Sequence, residues 1–249
     1  MTDVLTTREG DVLRIVLNRP EKLNAVNTPM LAELKRVLDE AAADETSVVV
    51  LTGAGRAFCS GGDLSGKQTN GAGELANAVV QAIIESPKPV VAGVHGHVAG
   101  VGCPLALACD LVVAARSASF QLAFSRVGLM PDAGTAAILP AAIGRPRATR
   151  MALLGEKVLA PQAFEWGMIS HLVDDGDFEA ELASVSRELV VTSGPAIARI
   201  KQAIRVGTMT TLAAVQADEL QGQYALTETS EFRQSVAAFR GSTRGNRSS

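Results

Sequence analysis

A chain of 249 residues, 47% of them hydrophobic, can form one large domain or two small ones around a substantial core. Its formal net charge of −3 gives no general basic field, so nucleic acid is not an expected partner and any phosphate must be held by local Lys or Arg. No apolar stretch reaches the length of a membrane span, and the start Met1-Thr-Asp-Val4 lacks the regions of a secretory signal, so a cytoplasmic protein without a membrane partner is expected.

In chain order, Val12–Leu17 reads as a strand and Thr28–Ala43 as an amphipathic helix whose apolar positions include Met30, Leu31, Leu34, Val37 and Leu38. Thr28 followed by Pro29 is its start signal. The β-branched run Val48–Thr52 leads into the small residues of Gly53–Leu64. Ser65–Gly73 is polar and Gly-rich without periodicity, so a short mobile surface loop is expected. A helix over Glu74–Glu85 follows, then a strand within Lys88–Val94, a glycine-studded turn over Gly93–Pro104, and a helix from Leu105 to Cys109.

Leu111–Ala115 and Ala118–Leu122 read as strands. Pro131 and Asp132 are expected to open a helix running through Ala133 to Leu139, with Asp132 as its cap. Helices at Thr149–Leu154 and Ala160–Ile169 and a short strand after Gly167 come next; His171, in an apolar frame, reads as structural. From Phe178 onward the pattern is helical, broken only at Ser193–Pro195, with the last helix at Ser230–Phe239 and a frayed polar tail from Arg240. No linker or internal repeat is visible. Cys59, Cys103 and Cys109 are odd in number and lack metal-ligand spacing, so they read as small buried hydrophobes. The His95-x-His97 pair has neither carboxylates nor a third histidine beside it, and no metal is expected.

The whole is organised around the turn at Gly93–Pro104. Glycines at 96, 100 and 102 let the backbone approach a ligand, and the helix after them presents free N–H groups. Glycines between a strand and a helix serve packing and tight turning equally well. The stretch Gly53–Leu64 repeats the arrangement, and two such cradles can each offer one N–H to the same oxygen. That is what the anion formed from an acyl thioester requires, each preset donor being worth roughly 3–4 kcal/mol.

Four motifs, Leu17-Asn-Arg-Pro-Glu-Lys-Leu-Asn-Ala25, Ala57-Phe-Cys-Ser-Gly-Gly-Asp63, Lys88-Pro-Val-Val-Ala92 and Ala108-Cys-Asp110, together resemble the crotonase superfamily of enoyl-CoA hydratases and isomerases. The resemblance runs from about Val12 to Phe239. It implies an α/β fold, a spiral of ββα turns with a C-terminal helical region, divided here as a core over 1–195 and a helical trimerisation region over 196–249. It also implies a coenzyme A thioester as ligand, no cofactor beyond that CoA moiety, and homotrimers or dimers of trimers. By the same resemblance the coenzyme contacts fall on Lys22, Leu23, Ala57, Ser60, Gly61, Gly62, Asp63 and Leu64, with Arg240 or Arg244 near the phosphates. The segment 65–73 would be the lid of the acyl pocket.

Two departures decide the chemistry. Hydratases of this family use two glutamates, and those positions fall on Pro104 and Phe124, neither of which can transfer a proton. What remains is Asp132, in Gly128-Leu-Met-Pro-Asp-Ala-Gly134, a run that looks like the segment carrying the acid/base aspartate of enoyl-CoA isomerases. One carboxylate suffices to remove a proton at one carbon and return it at another. The oxyanion donors would be the N–H groups of Gly62 and Val101, and Phe124 would line the pocket. An apolar frame of Leu129, Met130, Pro131, Ala133 and Ala136 predicts a raised pKa for Asp132, and helix-start N–H groups predict that the rise is modest. The reading is thus an enoyl-CoA isomerase; the alternatives are an enoyl-CoA hydratase, an acyl-CoA-binding protein without catalysis, and a thioesterase or dehalogenase using Asp132 as nucleophile.

Overall fold

A computed structural model describes residues 2–64 and 71–245, with residues 239–245 described by backbone alone. The strands are β1 (Val4–Glu9), β2 (Val12–Leu17), β3 (Val48–Gly53), β4 (Ala57–Cys59), β5 (Val90–Val94), β6 (His97–Ala99), β7 (Leu111–Ala115), β8 (Ser119–Gln121), β9 (Lys157–Leu159) and β10 (His171–Val173). The helices are α1 (Thr28–Ala43), α2 (Ala72–Glu85), α3 (Gly102–Leu107), α4 (Thr135–Ile143), α5 (Arg145–Leu154), α6 (Ala160–Glu165), α7 (Phe178–Val190), α8 (Gly194–Thr208), α9 (Leu212–Thr227) and α10 (Ser230–Gly245).

Strands β3, β5 and β7 enter a six-stranded sheet of order β1-β2-β3-β5-β7-β10, while β4, β6 and β8, each following one of them, enter a second sheet of order β4-β6-β8-β9. The chain alternates between the two sheets and returns through α2 and α3. That is a spiral of ββα turns, the fold the resemblance implies. Apart from the β1–β2 and β8–β9 pairs, all pairings in the two sheets are parallel.

The large sheet is covered on both faces, which explains the unbroken apolar run of β3. Val49 and Leu51 belong to the main core, with α1 and α2. Val48, Val50, Val91 and Val113 face the other way and pack with Phe178, Leu182 and Val185 of α7. The start of α1 is closed by Asn27, whose side chain accepts from the N–H of Met30 at 2.8 Å. Asp110 of the fourth motif accepts from Val90 N–H at 2.7 Å and from Lys201 Nζ at 2.5 Å, tying β5 to α8.

Several boundaries differ from the sequence reading. The turn between β5 and α3 contains a strand, β6, too short to show alternation beside its glycines. Helix α3 starts at Gly102 rather than Leu105 and ends at Leu107. Helix α2 begins at Ala72 and takes up the end of the expected surface loop, of which 65–70 lie outside the described residues. Helix α5 begins at Arg145, α6 is shorter than expected, and the C-terminal helices break again between α8 and α9 and between α9 and α10. Helix α10 runs on to Gly245, through residues expected to fray. Helix α8 opens at Gly194, beside the division expected after residue 195. Among the described residues no helix is long and apolar enough to cross a membrane.

Candidate active site

The first motif is folded by Asn24. Its buried side chain donates from Nδ2 to the carbonyls of Ala54 at 2.8 Å and Ala57 at 2.7 Å, and Oδ1 accepts from Arg19 N–H at 2.9 Å. Leu23 and Asn24 hold φ of 50° and 55°, in the left-handed region that non-glycine residues enter at some cost. That turn places Leu23 O to accept from the N–H of Ser60 at 2.9 Å, and Lys22 O to accept from Ser60 Oγ at 3.2 Å. The two segments assigned to coenzyme binding are thus side by side. Asp63 accepts from Arg19 Nη2 at 2.8 Å and from Lys22 Nζ at 2.9 Å, so it is a bridge between the same two segments.

The two cradles meet as backbone. A Cβ built on Gly61 would lie 3.3 Å from Ala99 O and 3.5 Å from Gly100 Cα, and one on Gly100 would lie 3.2 Å from Gly61 Cα. Side chains at either place would drive the loops apart. Val26 N–H donates to Gly61 O at 2.8 Å and Asp63 N–H to Val26 O at 2.9 Å; this parallel bridge uses the groups on either side of Gly62 N–H and leaves that N–H turned away from Val26. At the other cradle Gly100 N–H donates to Gln121 O, and Cys103 N–H to Gly100 O, both at 3.0 Å. The N–H of Val101, at the head of α3, takes part in neither bond. Ala57 and Val101 are buried, and the ring of Phe124, also buried, comes within 3.9 Å of a Cβ placed on Gly100. Leu64 closes the described part of this loop; the side chain of Arg240 lies outside the described residues.

Pro104 is buried in an apolar seam with Leu107, Leu122, Thr135, Ile138 and Met151. The three cysteines are buried, and burial pushes the thiols of Cys59 and Cys103 up to about 12. His95 Nε2 sits 3.0 Å from Gly55 O with its ring edge-on to Phe178, while His97 Nδ1 is 3.5 Å from Ser119 Oγ. His171, the first residue of β10, has its Nδ1 2.9 Å from Ser170 Oγ.

Asp132 is not the cap of a helix. Helix α4 begins three residues later, at Thr135, and Ala133 (φ 56°) and Gly134 (φ 81°) turn the chain between them. The Asp132 carbonyl accepts from Thr135 N–H at 3.1 Å and from Thr135 Oγ1 at 2.5 Å. Its side-chain Oδ1 is buried with no hydrogen-bond partner among the described residues, and Oδ2 has Gln223 Nε2 at 3.5 Å. The helix-start donors expected to restrain its pKa go elsewhere. Glu219 of α9 takes them, Oε2 accepting from Gly134 N–H at 2.6 Å and Oε1 from Ala136 N–H at 2.8 Å. Asp132 is accordingly pushed up to about 7, first by burial and then by the negative charge of Glu219. Burial raises Glu219 as well, against its two N–H donors. Sequence reasoning missed Glu219. Its one signal was a polar series at helical spacing, Gln216, Glu219 and Gln223, on a helix where apolar residues are expected to face inward.

The family pattern described as enoyl-CoA hydratase/isomerase matches residues 7–244. A 1,2-epoxyphenylacetyl-CoA isomerase of Escherichia coli is 38% identical, over 96% of this chain and 95% of its own. A probable enoyl-CoA hydratase of Rhodobacter capsulatus is 42% identical, over 90% of each chain. The crystal structure of an enoyl-CoA hydratase from Mycobacterium avium subsp. paratuberculosis superposes with a TM-score of 0.92 at 38% identity, covering 96% of both chains. With a matching pattern over nearly its whole length and relatives of near-complete coverage, this chain belongs to the enoyl-CoA hydratase/isomerase family.

Proposed function

We propose that the protein is an acyl-CoA-processing enzyme that shifts a double bond by moving one proton through Asp132. The observation that carries this reading is the buried Oδ1 of Asp132, free of any donor among the described residues, on a carboxylate pushed up to about 7. Such a group is basic enough to take a proton from a carbon next to a thioester and acidic enough to give it back. With a 3-enoyl-CoA, Asp132 removes the proton at the α-carbon and the electron pair moves onto the thioester oxygen. The resulting dienolate oxygen is held by Gly62 N–H and Val101 N–H. Asp132 then returns its proton to the γ-carbon, and the charge collapses back into a 2-enoyl-CoA. Atoms balance and no water is consumed.

The coenzyme lies along the paired segments Lys22–Leu23 and Ala57, Ser60–Leu64, with Arg240 toward the phosphates and Phe124 walling the acyl group. No further cofactor takes part. Three copies, or six as a dimer of trimers, form the working enzyme.

Hydration is the second reading, favoured by the hydratase names among the relatives. It needs a second proton-transferring group, and Pro104 and Phe124 supply none. Incubation with 3-enoyl-CoA and 2-enoyl-CoA in deuterated water separates the two. Conversion of the 3-enoyl to the 2-enoyl thioester with the double bond retained is expected, with solvent label at the α- or γ-carbon to the extent that the Asp132 proton exchanges before its return; a 3-hydroxyacyl-CoA as main product would make the protein a hydratase. The D132N variant should lose at least about 10²-fold in isomerisation rate while binding the thioester nearly as before. Wild-type isomerisation by D132N would remove Asp132 from the chemistry.

A further inference from the structure

We propose that Glu219 on α9 is a positioning residue for Asp132: by taking the free N–H groups at the start of α4 itself, it withholds them from Asp132 and leaves Oδ1 of that carboxylate free for proton transfer. This rests on the reading that Asp132 carries the proton.

An aspartate just ahead of a helix ordinarily turns back and caps it, accepting from the N–H groups of the first turn. Here the two donors, Gly134 N–H and Ala136 N–H, are held at 2.6 and 2.8 Å by one carboxylate arriving from 85 and 83 positions along the chain. Charge-assisted bonds to two N–H groups at once are not surrendered to a neighbour. One helical turn along α9, Gln223 Nε2 donates to Met130 O at 2.5 Å. Two side chains of one helix therefore hold the chain on both sides of Asp132. Between them, Gly222 lets α9 approach so closely that a Cβ there would fall 2.2 Å from Met130 Sδ.

Glu219 also contributes a like charge that favours the protonated form of Asp132. The other titratable groups on the elements packed around this pair do not compete with it. Asp218 on α9 adds to the repulsion at Glu219. Glu74 of α2 is bonded by Tyr224 Oη, and Glu231 of α10 by Ser230 Oγ at 2.9 Å. Arg233 of α10 exerts its attraction on Glu231. Arg126 lies against Gly155, and α4 carries no titratable side chain.

The test is the pH profile of 3-enoyl-CoA isomerisation for the wild type, E219Q and E219D. In E219Q the amide keeps one acceptor oxygen, turns a donor toward the second N–H and carries no charge. The acidic limb of kcat/KM should move down by about one pH unit or more, equivalent to at least tenfold in proton affinity, with thioester binding retained. E219D keeps the charge and should keep the limb near its wild-type position. A merely structural residue would lower the melting temperature and the amplitude without moving the limb. An unmoved limb in folded E219Q overturns the proposal.

Should E219Q fail to fold, carboxyl carbon NMR of the wild type decides. A titration near 7 that is absent from D132N, with the Glu219 titration lower in D132N than in the wild type, upholds the proposal. An Asp132 carboxyl titrating in the ordinary carboxylate range overturns it. Failure here leaves the isomerase reading intact as long as D132N is inactive, whereas an active D132N removes that reading first.

Discussion

The arrangement around Asp132 has a cost in stability, and the cost has a definite pH dependence. In the unfolded chain the group titrates at its ordinary value of 3.8, and in the folded protein at about 7. Between those values the native state holds a proton that the unfolded state has released. Stability must therefore fall as pH rises through that window, by about 4 kcal/mol at most at 1.36 kcal/mol per unit. The variant D132N has no such titration. Urea denaturation should find it more stable than the wild type at pH 8 by about 1–3 kcal/mol, with the difference closing below pH 4. Parallel pH curves for the two proteins would show that Asp132 is solvated and titrates normally. The same residue marks the limit of sequence reading. The frame of Leu129, Met130 and Pro131 announced a raised pKa, but the size depended on which group took the helix-start donors. That group, Glu219, is far along the chain, and no local pattern around Asp132 could name it.

At the scale of elements, the proposed oxyanion site depends on α3 and the end of β4 with its following loop remaining in backbone contact. A Cβ on Gly102 would lie 2.8 Å from Cys59 O and 2.9 Å from Cys59 Cβ, so G102A must push the head of α3 away from that loop. Displacement of Val101 N–H relative to Gly62 N–H by less than 1 Å is expected to lower kcat/KM by about 10–10²-fold. Overpacking of this kind should also cost about 1–3 kcal/mol in denaturant unfolding. Wild-type kinetics in G102A would mean that the two N–H groups do not act together. The juxtaposition itself was legible, because the glycines of both cradles stand in the sequence. The apolar strands β3, β5 and β7 were legible too, since each carries a run of branched residues buried in the large sheet, and β2 by its alternation of half-buried and buried positions. The short strand β6 was hidden, since its residues His97, Val98 and Ala99 are paired by β4 and β8, two segments distant in sequence. The spiral repeat was likewise invisible as a repeat, because its units share geometry and not residues. Motif resemblance carried it.

At the scale of the whole molecule, the C-terminal helices leave apolar side chains in water that a single chain does not cover. On α8, Ile197 is buried, whereas Ile200 and Ile204, one turn apart, are 57% and 59% exposed, and Val206 is 59% exposed. Single exposed apolar residues are ordinary on a protein surface, but Ile200 and Ile204 stand together on one face of α8, where the proposed subunit contact would cover both. Closed assemblies of identical chains bury such patches through repeated use of one interface. The proposed trimer, or dimer of trimers, therefore predicts a sedimentation mass that is a threefold or sixfold multiple of the 25.9 kDa chain. Replacing Ile200 and Ile204 together by Ser should shift that mass toward the monomer while far-ultraviolet circular dichroism remains that of the folded chain, since neither side chain contributes to the core of its own subunit. A wild-type protein that sediments as a monomer at micromolar concentration would sink the proposed assembly. A double variant that stays trimeric would place the subunit contact on another face.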